Sequence, residues 1–538
     1  MKKSFRLTAL LTTLGLSLTL FAGCGKDNNT TATTDGKSFT MWAVMDASTS
    51  ASLKSYNEML LFQELEKRTG VHIDFLHPIE GSTGSEAFMA MLSGNDRPDI
   101  IEYDWSTYSG GPQQAIDDEV IVRLNDYLKD HAPNYYDYLE GKKGKAKDYA
   151  YKLQSMTDEG SYYGFNYLAI GTTRCFSGLV VRGDKLSEWG MSVPETIDDW
   201  TAVLAKAKAD GFKKPFTCIN QGISFINPWQ GFNTGFDVGQ EFYVEDGKVV
   251  FAPFQPGYKE YIAQLAEWTK QGYIDTGYIT NAHADVEGNL VNGISIAAYS
   301  WISTIGKLTP AAQEKTPGFE LVACPYPSPE KGKLSRFQGV AAEASSVAYG
   351  ISSTCGNIEK AIEWCDYIYS DEGNVLHTFG VEGDTYTVEE IDGETHYVYT
   401  DKIQNPESSG VTNIQQALYK YMLPANHPGL NQHPDYLAGY YPLEIQREAM
   451  ALWDKGVELA RPYVLPSLSF TEEEATQQTD ILEIAEAPLE VAMADIILGK
   501  KSIDTWESAV KTAKTNGYDK LIEIKQAAYD RYLAKKNK

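Results

Sequence analysis

The sequence predicts an α/β protein of two doubly wound lobes, and three observations predict it. Strand and helix patterns alternate from residue 39 onward, and a second alternating series begins near residue 165. Beyond a short leader the chain keeps 515 residues, more than one hydrophobic core usually serves. In the first series FTMWAVM (Phe39 to Met45) reads as a strand. A helix pattern follows, with Leu53, Tyr56, Leu60 and Leu61 on one face, stopped by Gly70. Val71 to Phe75 reads as the next strand, Glu86 to Ser93 as a short helix, and Asp99 to Tyr103 as a strand entered after Pro98. In the second series LVVRGDKL runs from strand to helix. Thr196 and Asp199 make a capping box ahead of Trp200, Val203, Leu204 and Ala207 at helical spacing. EYIAQLAEWTKQGYID, the strand GISIAAYSW and the helix NIEKAIEW continue the alternation. Thr471 and Glu474 cap the closing helices.

The leader carries an address. Lys2, Lys3 and Arg6 precede an apolar run from Leu7 to Ala22, and LFAGC ends it, with small Ala22 and Gly23 before a thiol at Cys24. This is the pattern of a signal peptide over residues 1–23 that ends in a lipobox, with Cys24 the residue to be lipidated. Phe21 stands where Leu is usual. Residues 24–38 have no apolar periodicity and read as a lipidated Cys followed by a disordered tether. The expected location is extracytoplasmic, on the outer face of the cell membrane, held by lipid alone.

Formal charge is −26, and removing the leader takes away three positive charges to give −29, a surface that repels nucleic acid and anionic lipid. Six cysteines, one of them Cys24, are too few and too scattered for a disulfide framework. Cys355 and Cys365 flank a predicted helix that would hold them about 15 Å apart, so both read as free thiols. There is no GxSxG, HExxH, Walker A or GxGxxG string, and nothing calls for a cofactor.

Five segments spread along the chain carry a resemblance: SGNDRPDIIEYD (Ser93 to Asp104), LVVRGDKLSEWGMSVPETIDDW (Leu179 to Trp200), WTKQGYID (Trp268 to Asp275), GISSTCGNIEKAIEWCDYIYSDEGNVLHTFGVEGDTY (Gly350 to Tyr386) and the tail from Leu498 to Tyr532. In their order and spacing the chain resembles the extracellular solute-binding proteins of family 1, in particular the long lipoprotein members. The resemblance implies a periplasmic-binding-protein-like fold of type II, with a hinge crossed near residues 160–168, near 321–333 and again after about 390. Residues 39–165 and 330–400 would form one lobe, and 166–329 with 401–538 the other. It further implies the ligand-binding subunit of an ABC importer, a sugar or oligosaccharide ligand, permease subunits as partners, and a monomer by default. Some relatives carry a calcium loop ahead of the first crossing. Here that stretch, GKKGKAKDYAYKLQSMTDEGSYYG, puts lysines where carboxylates would stand, so no metal site is expected.

Sugars present apolar CH faces and a rim of hydroxyls, so a site needs aromatic platforms with carboxylates or amides beside them. Ligands of doubly wound sheets lie beyond the strands' carboxyl ends. There stand Trp42 and Asp46, then Tyr103, Asp104 and Trp105, then Tyr299 and Trp301, with Asn166 at the first crossing and Trp229 and Phe232 in INPWQGFNTGF. Trp301 leads this set, because the loop after its strand commonly supplies a stacking aromatic in sugar-binding relatives. Arg182 and Asp184 read as a structural pair, and His427 and His433 as part of an ordered loop. Two alternatives share these features: a surface-anchored polysaccharide-degrading enzyme, glycosidase or lyase, and a receptor that reports to a sensor kinase.

Overall fold

The chain forms strands where the apolar period is two and helices where it lengthens. The computed structural model describes residues 36–78, 84–94, 96–144, 150–219 and 231–537, so Cys24 and Trp229 lie outside the described residues. In chain order the strands are β1 (Ser38–Trp42), β2 (His72–Leu76), β3 (Ile100–Asp104), β4 (Phe165–Ala169), β5 (Ser177–Arg182), β6 (Phe216–Thr217) and the hairpin β7 (Phe242–Glu245) and β8 (Lys248–Phe251). They continue with β9 (Ala297–Trp301), β10 (Leu321–Ala323), β11 (Ala344–Ile351), the hairpin β12 (Tyr386–Ile391) and β13 (Glu394–Tyr399), and β14 (Gly429–Asn431).

Two sheets organise the molecule. The first has the order β14-β4-β11-β3-β1-β2, the second β10-β5-β9-β6. In the first, β1 pairs parallel with β2 and β3, and β14 parallel with β4, while β11 runs antiparallel between β3 and β4. Parallel neighbours need a helical crossover. Leu60–Thr69 supplies the one from β1 to β2, burying Leu61, Phe62 and Leu65 and ending at Gly70, whose φ of 69° is the left-handed cap. In the second sheet β6 lies parallel to β9, and β5 antiparallel to both β9 and β10.

The chain passes from one sheet to the other over 170–176 and over 324–343. It passes a third time between helix Pro434–Tyr440 and helix Glu444–Asp454, which packs on helix Ile302–Lys315 and β10. These boundaries correct the sequence expectation at two places. Residues 165–169, expected within the first crossing, are β4, fully laddered into the first sheet. Residues 401–441, expected in the second lobe, belong to the first: β14 pairs with β4, and Tyr419, Leu430, Tyr436 and Tyr441 share its core.

The closing helices Glu472–Ile497 and Asp519–Ala534 pack on helix Pro256–Lys270 and β8 in the second lobe. Thr471 and Glu474 form the predicted reciprocal cap, at 3.2 and 3.0 Å. The last helix also reaches the first lobe. Arg531 Nε donates to Asp158 at 2.9 Å, and Lys535, only 3% exposed, pairs with Asp158 and donates to the carbonyl of Met156 at 2.8 Å. Arg182 and Asp184 pair as expected through two guanidinium nitrogens. The five described cysteines are free and buried. Among the described residues no helix is long and apolar enough to cross a membrane.

Candidate binding cleft

The crossings fix where a cleft lies. In each sheet the chain leaves for the other lobe from one edge: the carboxyl ends of β4 and β10, and the amino ends of β5 and β11. On the first lobe that edge also holds the carboxyl ends of β1, β2, β3 and β14. On the second it holds those of β6 and β9. A ligand between the lobes therefore meets the loops after these strands.

The second-lobe edge is built around β9. Ser177 of β5 pairs with Trp301, which ends β9 with 48% of its surface open. Beside it the Tyr299 hydroxyl lies 2.8 Å from Ser177 Oγ and 3.1 Å from the Tyr326 hydroxyl, which donates to the Ser177 carbonyl at 2.9 Å. Trp301 and Tyr299 border a small pocket whose other lining includes Ile219, Val286, Leu290 and Leu308 as well as His283 and Glu287. A buried carboxylate braces its rear wall. Asp275 accepts from Thr217 Oγ1 at 3.0 Å, Asn281 Nδ2 at 2.8 Å, Asn289 Nδ2 at 3.2 Å and the Gly277 N–H at 2.9 Å, and pairs with Lys214 at 2.9 Å. Burial disfavours its charge, yet these hydrogen bonds outweigh burial and hold the carboxyl below its ordinary range.

On the first-lobe edge, Asp46 caps helix Ala47–Ser50 by accepting from Ser48 N–H at 2.6 Å. Asp104 plays the same part in the next loop, accepting from Ser106 N–H at 3.2 Å and its hydroxyl at 2.7 Å. Behind Asp46 lies a buried ion pair, His427 Nδ1 to Glu102 Oε1 at 2.8 Å. Burial opposes the imidazolium, but the Glu102 charge and hydrogen bond prevail and raise its pKa. His427 is thus tied down in an ordered loop, as its sequence context suggests.

The sequence-predicted residues divide. Asp46, Asp104, Tyr299 and Trp301 keep exposed surface at the two edges. Trp105 and Phe232 do not. Trp105 is wholly buried, donating its indole N–H to the Ala348 carbonyl at 3.1 Å, and Phe232 is wedged between Trp200, Phe216 and Trp268. Trp42 is buried too, against Phe88, which stacks on Tyr103 at 3.6 Å. Asn166 is buried with its amide fully used: it donates to the Tyr163 hydroxyl at 2.8 Å and the Ser345 carbonyl at 2.7 Å, and accepts from the Tyr135 hydroxyl at 3.0 Å. These four are corrections, because a platform or a polar partner needs a face that the core has not already taken.

Tyr440 is not among the residues that the sequence predicts for the site. It lies next to the third crossing, stacks on Tyr436 at 5.5 Å, and stays partly exposed. Its signal was faint: two adjacent tyrosines before a proline, in a segment assigned to the other lobe.

Two α/β lobes with several chain crossings, and opposed edges carrying an open tryptophan and capped carboxylates, define a protein that takes its ligand between lobes. The chain belongs to the bacterial extracellular solute-binding proteins, whose family model matches residues 48–375. Among curated relatives, the fructooligosaccharide ABC transporter substrate-binding protein FusA of Streptococcus pneumoniae serotype 4 is 26% identical, with 99% of each chain covered. The melibiose/raffinose/stachyose-binding protein MelE of Bacillus subtilis is 23% identical over 50% of this chain and 56% of its own. Among solved structures, an extracellular solute-binding protein from Bifidobacterium longum subsp. infantis superposes with a TM-score of 0.73 at 17% identity, covering 93% of this chain and 100% of its own. FusA in complex with kestose gives 0.66 at 20% identity, covering 93% and 100%. What these structures share with the chain is the two-lobed fold.

Proposed function

We propose that this chain is the extracytoplasmic capture subunit of an ABC importer and that its ligand is a sugar, in particular an oligosaccharide. The observation that carries the reading is Trp301, an open aromatic face at a strand end on the cleft edge. Its neighbour Tyr299 is held by two hydroxyl contacts, so the platform stands ready before ligand arrives. The names of relatives that bind fructooligosaccharide or raffinose-type sugars support the same class. In this reading closure of the lobes buries the sugar and shifts the population toward the closed form, which permease subunits recognise. The protein acts as a monomer, without cofactor or catalysis. A lipid on Cys24 holds it at the membrane, with the polar stretch after it as the tether.

Isothermal titration of residues 25–538 against kestose, fructo-nystose, melibiose, raffinose and stachyose tests the proposal, with an assay for new reducing ends on the same samples. Saturable heat without cleavage is expected. Cleavage would make the protein an enzyme, and silence across the panel would overturn the sugar reading. Trp301→Ala should weaken binding by about thirtyfold, roughly 2 kcal/mol, with the melting temperature unchanged. Cys24→Ala should release the protein from the membrane fraction.

A further inference from the structure

The second-lobe platform needs an opposing surface, and the structure assembles one from parts distant in sequence. Asp46 offers one carboxylate oxygen to Ser48 N–H, and its other oxygen takes no hydrogen bond among the described residues. Tyr440 stacks on buried Tyr436 at 5.5 Å and meets Tyr441 at 4.7 Å, and its hydroxyl has no hydrogen-bond partner among the described residues. Thr49, in the helix that Asp46 caps, donates its hydroxyl to the Tyr419 carbonyl at 2.9 Å. Tyr419 shares one core with Tyr436 and Tyr441, against which Tyr440 packs, so Asp46 and Tyr440 flank the same cluster. In keeping with this, after burial the Asp46 charge raises the Tyr440 phenol. Asn426 stands exposed beside them, its amide 3.4 Å from the Tyr419 hydroxyl. Asn426 and Gln432, on either side of β14, both hold left-handed backbone, with φ of 65° and 61°; such strain in non-glycine residues collects at functional sites.

The third crossing leads from this wall toward Trp301. Six residues after Tyr440, Gln446 donates to the Ile302 carbonyl at 2.9 Å, fastening the third crossing to the residue that follows Trp301. A Cβ at Gly306 would sit 2.2 Å from the Gln446 amide, so that glycine permits the approach.

Asp46 has no ion-pair partner among the described residues. Arg174 is withdrawn from the surface, 4% exposed with its guanidinium on Gln432 and the carbonyls of Thr173 and Ala169, while His427 pairs with Glu102 and Lys307 with Glu287. Arg447 donates to the Pro442 carbonyl. The carboxylate of Asp46 remains, suited to accept from sugar hydroxyls and placed to repel an anion.

We infer that Asp46 and Tyr440 form the first-lobe half of the ligand site and that this half selects an uncharged saccharide. The inference rests on the sugar reading above. Titration of the wild type with kestose, raffinose and the trisaccharide of galacturonate, repeated for Asp46→Asn, Tyr440→Phe and Tyr440→Ala, tests it. Asparagine keeps the helix cap and phenylalanine keeps the stack, so both variants should fold, which their melting temperatures verify. The neutral sugar that binds wild type should lose about tenfold or more with Asp46→Asn and with Tyr440→Ala, and a few fold with Tyr440→Phe. Wild type should not bind the galacturonate. Folded variants that bind as wild type does, while Trp301→Ala fails, would overturn the first-lobe assignment alone. Equal affinity for galacturonate would overturn the charge selection, and a wild type that binds neither neutral sugar would overturn the sugar reading itself.

Discussion

At the end of β3, Trp105 lies with no exposed surface, its indole N–H donating to the Ala348 carbonyl. At the end of β9, Trp301 keeps 48% of its surface open. Both are tryptophans one step past or at a strand's carboxyl end, on edges that face the same cleft. What separates them is company. Phe88, from the crossover helix Gly84–Leu92, brings a ring against Trp42, Tyr103 and Trp105 and completes a small core of aromatics. Among the described residues no ring packs on Trp301 in this way; Tyr299 beside it is turned to Ser177 and Tyr326. A strand end places a side chain at the cleft, and the neighbouring helix decides whether ligand can reach it.

The sharpest way to break the comparison is to truncate both. Trp105→Ala should cost about 3 to 5 kcal/mol of stability, the range for emptying a buried aromatic site, and be read as a large fall in melting temperature. Trp301→Ala should leave melting in place and weaken affinity by about thirtyfold. Similar melting losses in the two variants would mean that the edges do not differ in the way described.

The rear supports of the two edges give a second contrast. Asp275, behind the second-lobe pocket, is fully buried and holds four donors besides Lys214. Asp275→Ala takes one of two acceptors from each of the Asn281 and Asn289 amides and the carboxylate from Lys214, and should cost about 3 kcal/mol. Because its folded pKa lies below the unfolded value, Asp275 contributes stability that is fully present above about pH 4. That contribution is lost as the pH falls through the folded pKa. Denaturant melts of wild type and variant between pH 7 and pH 3 should therefore converge toward the acid end.

Much of the framework was readable because it obeys local rules. Gly70 stops its helix through the left-handed conformation that glycine adopts freely, and Thr471 with Glu474 is a cap written three residues apart. The place of Trp301 at a strand end was readable because GISIAAYSW reads as a strand that ends there. The missing pieces lacked a local signal. β14 is three residues long and has no period to detect, yet its pairing with β4 carries residues 401–441 into the first lobe and brings Tyr440 to the cleft. Phe232 and Trp301 are equally aromatic in sequence. The packing of Trp200, Phe216 and Trp268 makes the first a core residue.

The smallest expected effect sharpens the contrast between the supports, because the first-lobe one titrates in the opposite sense. Burial works against the charged form of His427, but Glu102 at 2.8 Å overcomes it, so the folded pKa is raised above the unfolded value near 6.5. A raised histidine contributes stability that is fully present below the unfolded pKa and is lost as the pH rises through the folded one. His427→Gln, which keeps a hydrogen-bonding group toward Glu102 but no charge, should melt below wild type at pH 6, with the gap narrowing steadily toward pH 9. The melting gap of Asp275→Ala should hold constant over that range. A His427→Gln gap that widened with pH would mean that the neutral imidazole is the form built into the loop, leaving Glu102 as an unpaired charge behind Asp46.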